Sequence, residues 1–279
     1  MSRHRYDKNI NELKKYFNEV FVICPIVFTA GITKEDKKCH DYEFDNVHVY
    51  FPRVFHLPVN YFRKKQGLNY FNKITQVIKE NHIEFDLVHS HFTWISGYTG
   101  HLTKKKYGVP LIISVHEDPE WLLEEVESGK KEIIKSWENA DLIIRVNKRD
   151  LYLLNQFNEN VLYLPNGFNG IFKKMDIITC REKYNLPLNK RIILNIGSLV
   201  EIKNHEVLIA AIAELVKKRE DILTLIIGEG HLKSQLKKQI KKFNMDSYIK
   251  IIDAQRHEDI PSFINASDVF VLPSINESF

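Results

Sequence analysis

Short apolar runs alternate with stretches of helical spacing along most of this chain, and the clearest instance is Arg191 to Glu206, RIILNIGSLVEIKNHE. Ile192, Ile193, Leu194 and Ile196 form a run stopped by Gly197, the pattern of an inner strand in a parallel sheet buried on both faces. After the loop Ser198 to Lys203, Asn204 stands at a helix N-cap position, and Val207, Leu208, Ala211, Ile212, Leu215 and Val216 recur at helical spacing. The pattern predicts a strand, a glycine turn and a helix.

The same alternation extends in both directions. Upstream, helical spacing at Ile10, Leu13 and Phe17 leads into a strand at Val20 to Pro25, and an irregular acidic segment, Asp41 to Asn46, precedes a strand at Val47 to Phe51. A helix on Phe71, Ile74, Val77 and Ile78 is followed by a strand entered at Asp86 to His89, a helix through Leu102 to Tyr107 and a strand at Leu111 to Val115. A helix at Ile133 to Trp137, a strand at Leu142 to Val146, a helix through Leu151, Leu154 and Phe157 and a strand at Val161 to Leu164 complete this half. Pro165-Asn166-Gly167 is a turn by its chemistry, and the looser segment Phe168 to Lys190 reads as an interdomain connection. Beyond Ile196 come a strand at Leu223 to Ile227, Gly228-Glu229-Gly230, a basic amphipathic helix from Leu232 to Phe243, a strand at Ile249 to Ile252, a short helix on Ile260, Phe263 and Ile264, and a strand at Val269 to Leu272.

This is an α/β chain built on parallel sheets. Its 279 residues suit about two domains: residues 1–168, a connection over 169–190, and a second domain over 191–279. The chain opens on a helix, where a doubly wound domain opens on a central strand and a glycine-rich turn, so the first β unit of the first domain is expected to be missing. The second domain is expected to be cut short as well.

Charge changes little. The 40 Lys and Arg residues nearly balance 36 Asp and Glu, which sets no strong field for nucleic acid. Basic runs such as Lys104-Lys105-Lys106 and Lys217-Lys218-Arg219 read as solvated helix ends. The helix Leu232 to Phe243 reads chiefly as a packing element, with contact to an anionic membrane surface as its alternative. No apolar run approaches the roughly 18 residues of a membrane span, and the opening MSRHRYDKN is not a signal peptide. A soluble, cytoplasmic protein is expected, peripheral to a membrane at most. Cys24, Cys39 and Cys180 lack the spacing of a disulfide framework or a zinc site.

Candidate chemistry sits at strand ends. A helix N-terminus carries unpaired N–H groups and partial positive charge, so Lys203 beside it calls for an anion between them, most simply a phosphate. His89, His91 and His116 lie at or just past the carboxyl ends of strands, where open α/β sheets place ligands. His89 reads as a hydrogen-bonded structural histidine, and His91 stays open between structure and function. Only the His89/His91 pair is local, so no metal site is expected. The alternating Asp41, Glu43 and Asp45 precede their strand and read as an exposed turn.

Four stretches of the second half, NIGSLVEIKNHEVLIAA, LTLIIGEGHLKSQL, IKIIDAQRHEDIPSFINASDVFVLPS and NESF, resemble in order the donor-binding domain of the retaining glycosyltransferases of family 4, or group 1, with the GT-B fold. The first half resembles the same family's acceptor half through DLVHSHF, YGVPLIISVHED, ADLIIRVNKRD and YLPNGFNGIF. The resemblance runs from about Glu12 to the last residue. It implies two Rossmann-like doubly wound domains, both incomplete here, and a hexosyltransferase-type enzyme. Such an enzyme moves a sugar from a nucleotide diphosphate sugar to a glycan, lipid-linked or small-molecule acceptor, with retained anomeric configuration and without cofactor or obligatory metal.

Residue by residue, Lys203 matches the family's phosphate-contacting lysine; the turns at Gly197 and Gly228-Glu229-Gly230 offer N–H dipoles to the negative charge of a leaving diphosphate. Ser198 stands where the family commonly has arginine, which leaves a cation missing unless Arg256 compensates. Glu277 matches the first glutamate of a paired-glutamate signature near the donor sugar, with Ser278 and Phe279 beside it. The second glutamate falls beyond Phe279, and the 279-residue chain is expected to be inactive in sugar transfer. His116 matches the histidine facing the donor sugar, with Glu117 replacing the glycine that usually follows it. The alternative function is a non-catalytic nucleotide- or sugar-binding protein. A nucleotide-sugar epimerase fits the NESF and PNG segments less well.

Overall fold

The computed structural model of this chain describes residues 10, 12–28, 39–55, 63–168 and 170–277. The chain forms two compact units, one running to Pro165 and the other from Asn166 to Glu277.

The first unit holds three groups of strands. β1 (Val20–Ile23) pairs in parallel with β4 (Val47–Tyr50), which pairs antiparallel with β3 (Tyr42–Phe44). β2 (Ile26–Phe28) and β5 (Arg53–Phe55) form a parallel pair. The segment expected to be irregular is therefore partly strand: Glu43 lies on β3 opposite His48, and the turn falls at Asp45 and Asn46, with Asp45 left-handed at φ 52. Asn46 fixes the hairpin by donating to the carbonyl of Phe17 at 2.7 Å.

The main sheet of this unit is wholly parallel, in the order β6-β7-β8-β9, from Val88–His91, Leu111–Val115, Leu142–Arg145 and Val161–Tyr163. Leu111, Ile113 and Val115 alternate onto one fully buried face with Ile143, Leu122, Ile133, Trp137 and Leu154. Helices α1 (Arg63–Glu80) and α2 (Tyr98–Tyr107) precede β6 and β7, and α2 ends at Gly108, which takes the left-handed φ of 72. Between β7 and β8 lie α3 (Pro119–Glu127) and α4 (Lys131–Glu138). The apolar spacing had not announced α3, but its start is a standard signal: the Asp118 side chain accepts from Trp121 N at 2.9 Å, and Pro119 opens the first turn. α5 (Leu151–Asn155) leads to β9.

The second unit is simpler. Its sheet is parallel in the order β12-β11-β10-β13, from Ile249–Ile252, Ile222–Ile227, Arg191–Ile196 and Val269–Phe270. The inner strands are mostly apolar because both faces are covered. Ile192, Leu194, Leu223, Leu225 and Ile227 pack with Phe263 on one side. Ile226 and Ile193 pack on the other with Leu208, Ile209 and Ile212 of α7 (His205–Val216) and Leu236 and Ile240 of α8 (Lys233–Lys242). Each such buried side chain contributes about 1.5–3 kcal/mol. α8 is thus a packing element whose lysines 237, 238, 241 and 242 face solvent.

The segment Phe168 to Lys190, read from sequence as a looser connection, holds a helix, α6 (Ile177–Lys183), capped by Asp176. Buried Arg181 ties it to the sheet, donating to Ala266 O at 2.9 Å and pairing with Asp268 at 2.7 Å. Asp268 in turn accepts from Ile192 N at 2.7 Å, so one carboxylate joins α6, β10 and the residue before β13. α9 (Ile260–Ala266) completes the unit. Among the described residues, no helix is long and apolar enough to cross a membrane.

Candidate active site

Two glycine turns meet at the carboxyl ends of β10 and β11. Gly197 N donates to Ile227 O at 3.0 Å, Leu199 N to Glu229 O at 2.8 Å and Gly228 N to Ile252 O at 3.0 Å. The approach leaves no room for side chains. A Cβ on Gly228 would lie 1.8 Å from Gly197 O, and one on Gly230 would lie 2.2 Å from Leu199 O, distances at which only glycine fits. The N–H groups of Ser198 and Gly230 make no hydrogen bond among the described residues.

Lys203 comes over this turn from the other side. It ends a short 3-10 segment, Glu201–Lys203, and Asn204 then turns the chain at φ 52 into α7. Asn204 occupies the N-cap position as expected, but its side chain makes no capping bond there. The Lys203 stem passes above Gly197, with Cγ 3.7 Å from where a Cβ of that glycine would be. Its ammonium reaches Glu277, Nζ to Oε1 at 2.5 Å, both side chains about a quarter exposed.

Glu277 is delivered by the sheet. β13 pairs in parallel with β10, Ile193 opposite Val269 and Leu194 opposite Phe270, and the following loop is held by Val271 N to Leu194 O at 2.8 Å and Ile275 N to Ile202 O at 2.9 Å. Asn195 adds its amide to Val271 O at 2.9 Å. Partial burial raises the carboxyl pKa of Glu277, but the Lys203 ammonium outweighs it and the net direction is below the ordinary carboxylate value. The anion that the sequence demanded beside Lys203 is, in this structure, a carboxylate.

The structure therefore brings Gly197, Lys203, Gly228, Gly230 and Glu277 together, with Ser198 exposed at the tip of the first turn. Arg256 is not part of that group. Its side chain is 80% exposed and pairs with Asp259 at 3.0 Å, while Asp259 also binds Lys183 at 3.0 Å. Ser278 and Phe279 lie outside the described residues.

The first unit carries a second constellation, at the ends of β6 and β7. His91 Nδ1 and His116 Nε2 are 2.9 Å apart, and His89 Nε2 lies 2.8 Å from Ser114 Oγ. Burial, helped by His91 and the nearby Arg145, lowers the pKa of His116 to about 4. His89 also falls to about 4, through desolvation and the neighbouring histidines. Among the described residues, no cluster of His, Cys, Asp and Glu is fit to hold a metal ion.

Two supporting residues escaped the sequence reading. Glu117, at the position where a glycine was noted as usual, is fully buried and accepts from Thr93 N at 2.6 Å. Arg145, also fully buried, forms a two-bond pair with Asp150 and donates to the carbonyls of Val115 at 3.0 Å and Glu117 at 2.6 Å. An arginine inside an apolar strand with an aspartate five residues on was the available signal, since a buried guanidinium requires a partner.

Comparison with known proteins agrees with this layout. Residues 176–279 match the model of glycosyl transferases group 1. An uncharacterised glycosyltransferase of Methanocaldococcus jannaschii is 29% identical over 228 residues, covering 79% of this chain and 59% of that protein. The chain spans about half to three fifths of the length of the curated relatives it matches. Among solved structures, sucrose-phosphate synthase from Thermosynechococcus elongatus superimposes with a TM-score of 0.74 at 17% identity, over 100% of this chain and 71% of that one. The Anabaena HepE protein in complex with UDP and glucose gives 0.61 at 19% identity, over 82% and 62%. These likenesses establish the two-unit Rossmann-like GT-B fold. The model of glycosyltransferase family 4 matches residues 11–169, more than half of the chain, and the chain belongs to that family.

Proposed function

We propose that this chain contributes the donor and acceptor units of an enzyme of the hexosyltransferase type. The enzyme would transfer a sugar from a nucleoside diphosphate sugar to a glycan, lipid-linked or small-molecule acceptor, with retention of anomeric configuration. The observation that carries this reading is the convergence of Lys203 and Glu277 over the Gly197 turn. A leaving diphosphate develops negative charge, which preorganised cations and N–H dipoles stabilise. Lys203 supplies the cation, and the unbonded N–H groups of Ser198 and Gly230 supply dipoles. Glu277, held below the usual carboxylate pKa, is ionised at neutral pH and meets the positive charge that develops on the sugar. His116 is the sugar-facing histidine in this reading, and no step calls for a metal.

Ser198 favours a second reading. With a hydroxyl where the family commonly places arginine, the turn holds less positive charge, as expected of a protein that binds nucleotide sugars without turning them over. Titration calorimetry with UDP, GDP and UDP-glucose, followed by a radiolabelled-sugar transfer assay on the whole enzyme to which this chain contributes, separates the two. Binding with transfer supports the enzyme, and binding without transfer supports the second reading. Failure to bind any of the three probes removes this donor assignment.

A further inference from the structure

The buried stripe of α7 does not begin on an apolar residue. Leu208, Ile209 and Ile212 pack with Ile193, Ile226 and Val271, and one turn ahead of them, on the same face by helical spacing, stands His205, only 1% exposed. On β10, Asn195 follows Ile193 by two positions and so continues the α7-facing side of the sheet toward its carboxyl end. His205 and Asn195 are therefore at the same end of the same layer. Neither is fully bonded: Nδ1 and Nε2 of His205 and Oδ1 of Asn195 are buried without a hydrogen-bond partner among the described residues. The Asn195 amide donates from Nδ2 to Val271 O at 2.9 Å, which fixes Oδ1 as an acceptor. Burial, and then the Lys203 ammonium, lower the pKa of His205, so its ring is neutral and carries one N–H.

Ser274 approaches from the loop that delivers Glu277. That loop is pinned on one side of Ser274 by Val271 N to Leu194 O at 2.8 Å and on the other by Ile275 N to Ile202 O at 2.9 Å. Ser274 is thus held between β10 and the residues that lead into α7. Its Oγ is buried. Against the effect of burial, and after Lys203, this hydroxyl helps hold the Glu277 carboxyl below its ordinary pKa, although it completes no regular hydrogen bond.

We propose that His205 is a positioning residue for Glu277, acting through an internal water that it holds jointly with Asn195 and Ser274. A buried N–H donor without a protein partner is met by water in folded proteins. Here the water accepts from the His205 ring and donates to Asn195 Oδ1 and Ser274 Oγ, which makes the roughly three bonds usual for a buried water. With a lone pair so engaged, the Ser274 hydroxyl is left to donate to the Glu277 carboxylate. The relay joins the first residue of α7 to the carboxylate that β13 delivers, in addition to the bond from Lys203. This rests on the reading of Glu277 as the group that meets positive charge on the sugar.

Two experiments test this. A crystal structure of the chain that resolves ordered water should show one within hydrogen-bond distance of His205, Asn195 Oδ1 and Ser274 Oγ. In the whole enzyme, His205→Leu removes the donor and fills its space. Its kcat should fall roughly 10–10²-fold, the scale of a small misplacement of a catalytic group, while KM for the sugar donor and affinity for UDP stay within about twofold. Stability to urea should hold, because an apolar side chain replaces a buried polar one. His205→Gln, which keeps an N–H donor, should recover most of the lost kcat. Ser274→Ala should lose a similar factor, and the double variant no more than the worse single one, since both act in one relay. An unchanged kcat in His205→Leu, a loss that follows lost stability and is not recovered by His205→Gln, or independent losses from the two substitutions overturns the positioning role. No water between the three side chains overturns the relay. A wild-type enzyme that transfers no sugar although the water is present counts instead against the proposed function, and with it against the role of His205 in transfer.

Discussion

Lys203 and Glu277 stand 74 positions apart in the chain and 2.5 Å apart in the fold, ammonium to carboxylate. A bound diphosphate would share Lys203 with that carboxylate. Lys203→Ala should therefore weaken UDP or GDP binding by about 1.5–3 kcal/mol, the scale of a hydrogen bond to a charged group. Glu277→Gln keeps the shape and frees the ammonium, so nucleotide affinity should hold or rise slightly while sugar transfer falls roughly 10²–10³-fold. Calorimetry and a transfer assay on the same two variants of the whole enzyme check both halves. Nucleotide affinity lost with Glu277→Gln would show that the carboxylate itself positions the nucleotide.

The glycine turns give a second expectation. Gly228→Ala places a Cβ 1.8 Å from a backbone carbonyl oxygen, that of Gly197, where no flexible side chain can yield. The turns must separate, at a cost of about 1–3 kcal/mol or more. Gly167→Ala, whose Cβ meets nothing within 4 Å, is the control. Urea denaturation should show a clear loss for the first and almost none for the second. Nucleotide binding should fall with Gly228→Ala even where the fold survives.

How much of this was readable in advance depended on whether local pattern or long-range register decided it. β10 and β11 were legible because both of their faces are buried, which makes most of each run apolar. The Lys203 argument asked for an anion, most simply a phosphate, and nothing local could reveal that β13 brings the Glu277 carboxylate to it. α6 was hidden for the opposite reason. Its buried residues are Cys180 and Arg181 while Ile177 and Ile178 are exposed, so the usual apolar stripe is absent. The hairpin at Asp41 to Asn46 was obscured by its acids, because β3 alternates for only three residues, exposed Glu43 between half-buried Tyr42 and Phe44.

Arg145 and Asp150 carry a third prediction. Both are buried, and the guanidinium makes two bonds to the carboxylate at 2.8 and 2.6 Å. Asp150→Ala leaves a buried cation without its counter-charge, which typically costs about 3–5 kcal/mol. Because Arg145 also holds the carbonyls flanking His116, the damage should reach that histidine. Chemical denaturation measures the first effect and the His116 nitrogen shifts the second. A stability change below 1 kcal/mol, a threshold set by the scale for exposed pairs, would mean that the guanidinium finds water on losing its partner.

The last prediction concerns pH. Burial, His91 and Arg145 lower His116 from 6.5 to about 4 in the fold. In the unfolded chain the same ring titrates near its ordinary value, about 6.5. As the pH falls below that value the unfolded state takes up a proton that the folded state refuses until near pH 4, so the unfolded state binds more protons across this interval. Stability then rises with pH there: the contribution is fully present above about pH 6.5 and is lost as the pH falls toward 4. His89 is lowered in the same direction through the same window. Discounted for partial solvent screening, His116 should account for about 1 kcal/mol of the loss between pH 7.5 and pH 5. His116→Gln removes the titration, so its stability should decline less over that range than the wild type's, and the two curves should converge toward pH 5. Urea denaturation at half-unit steps measures both slopes. Parallel curves would place His116 in water with an ordinary pKa.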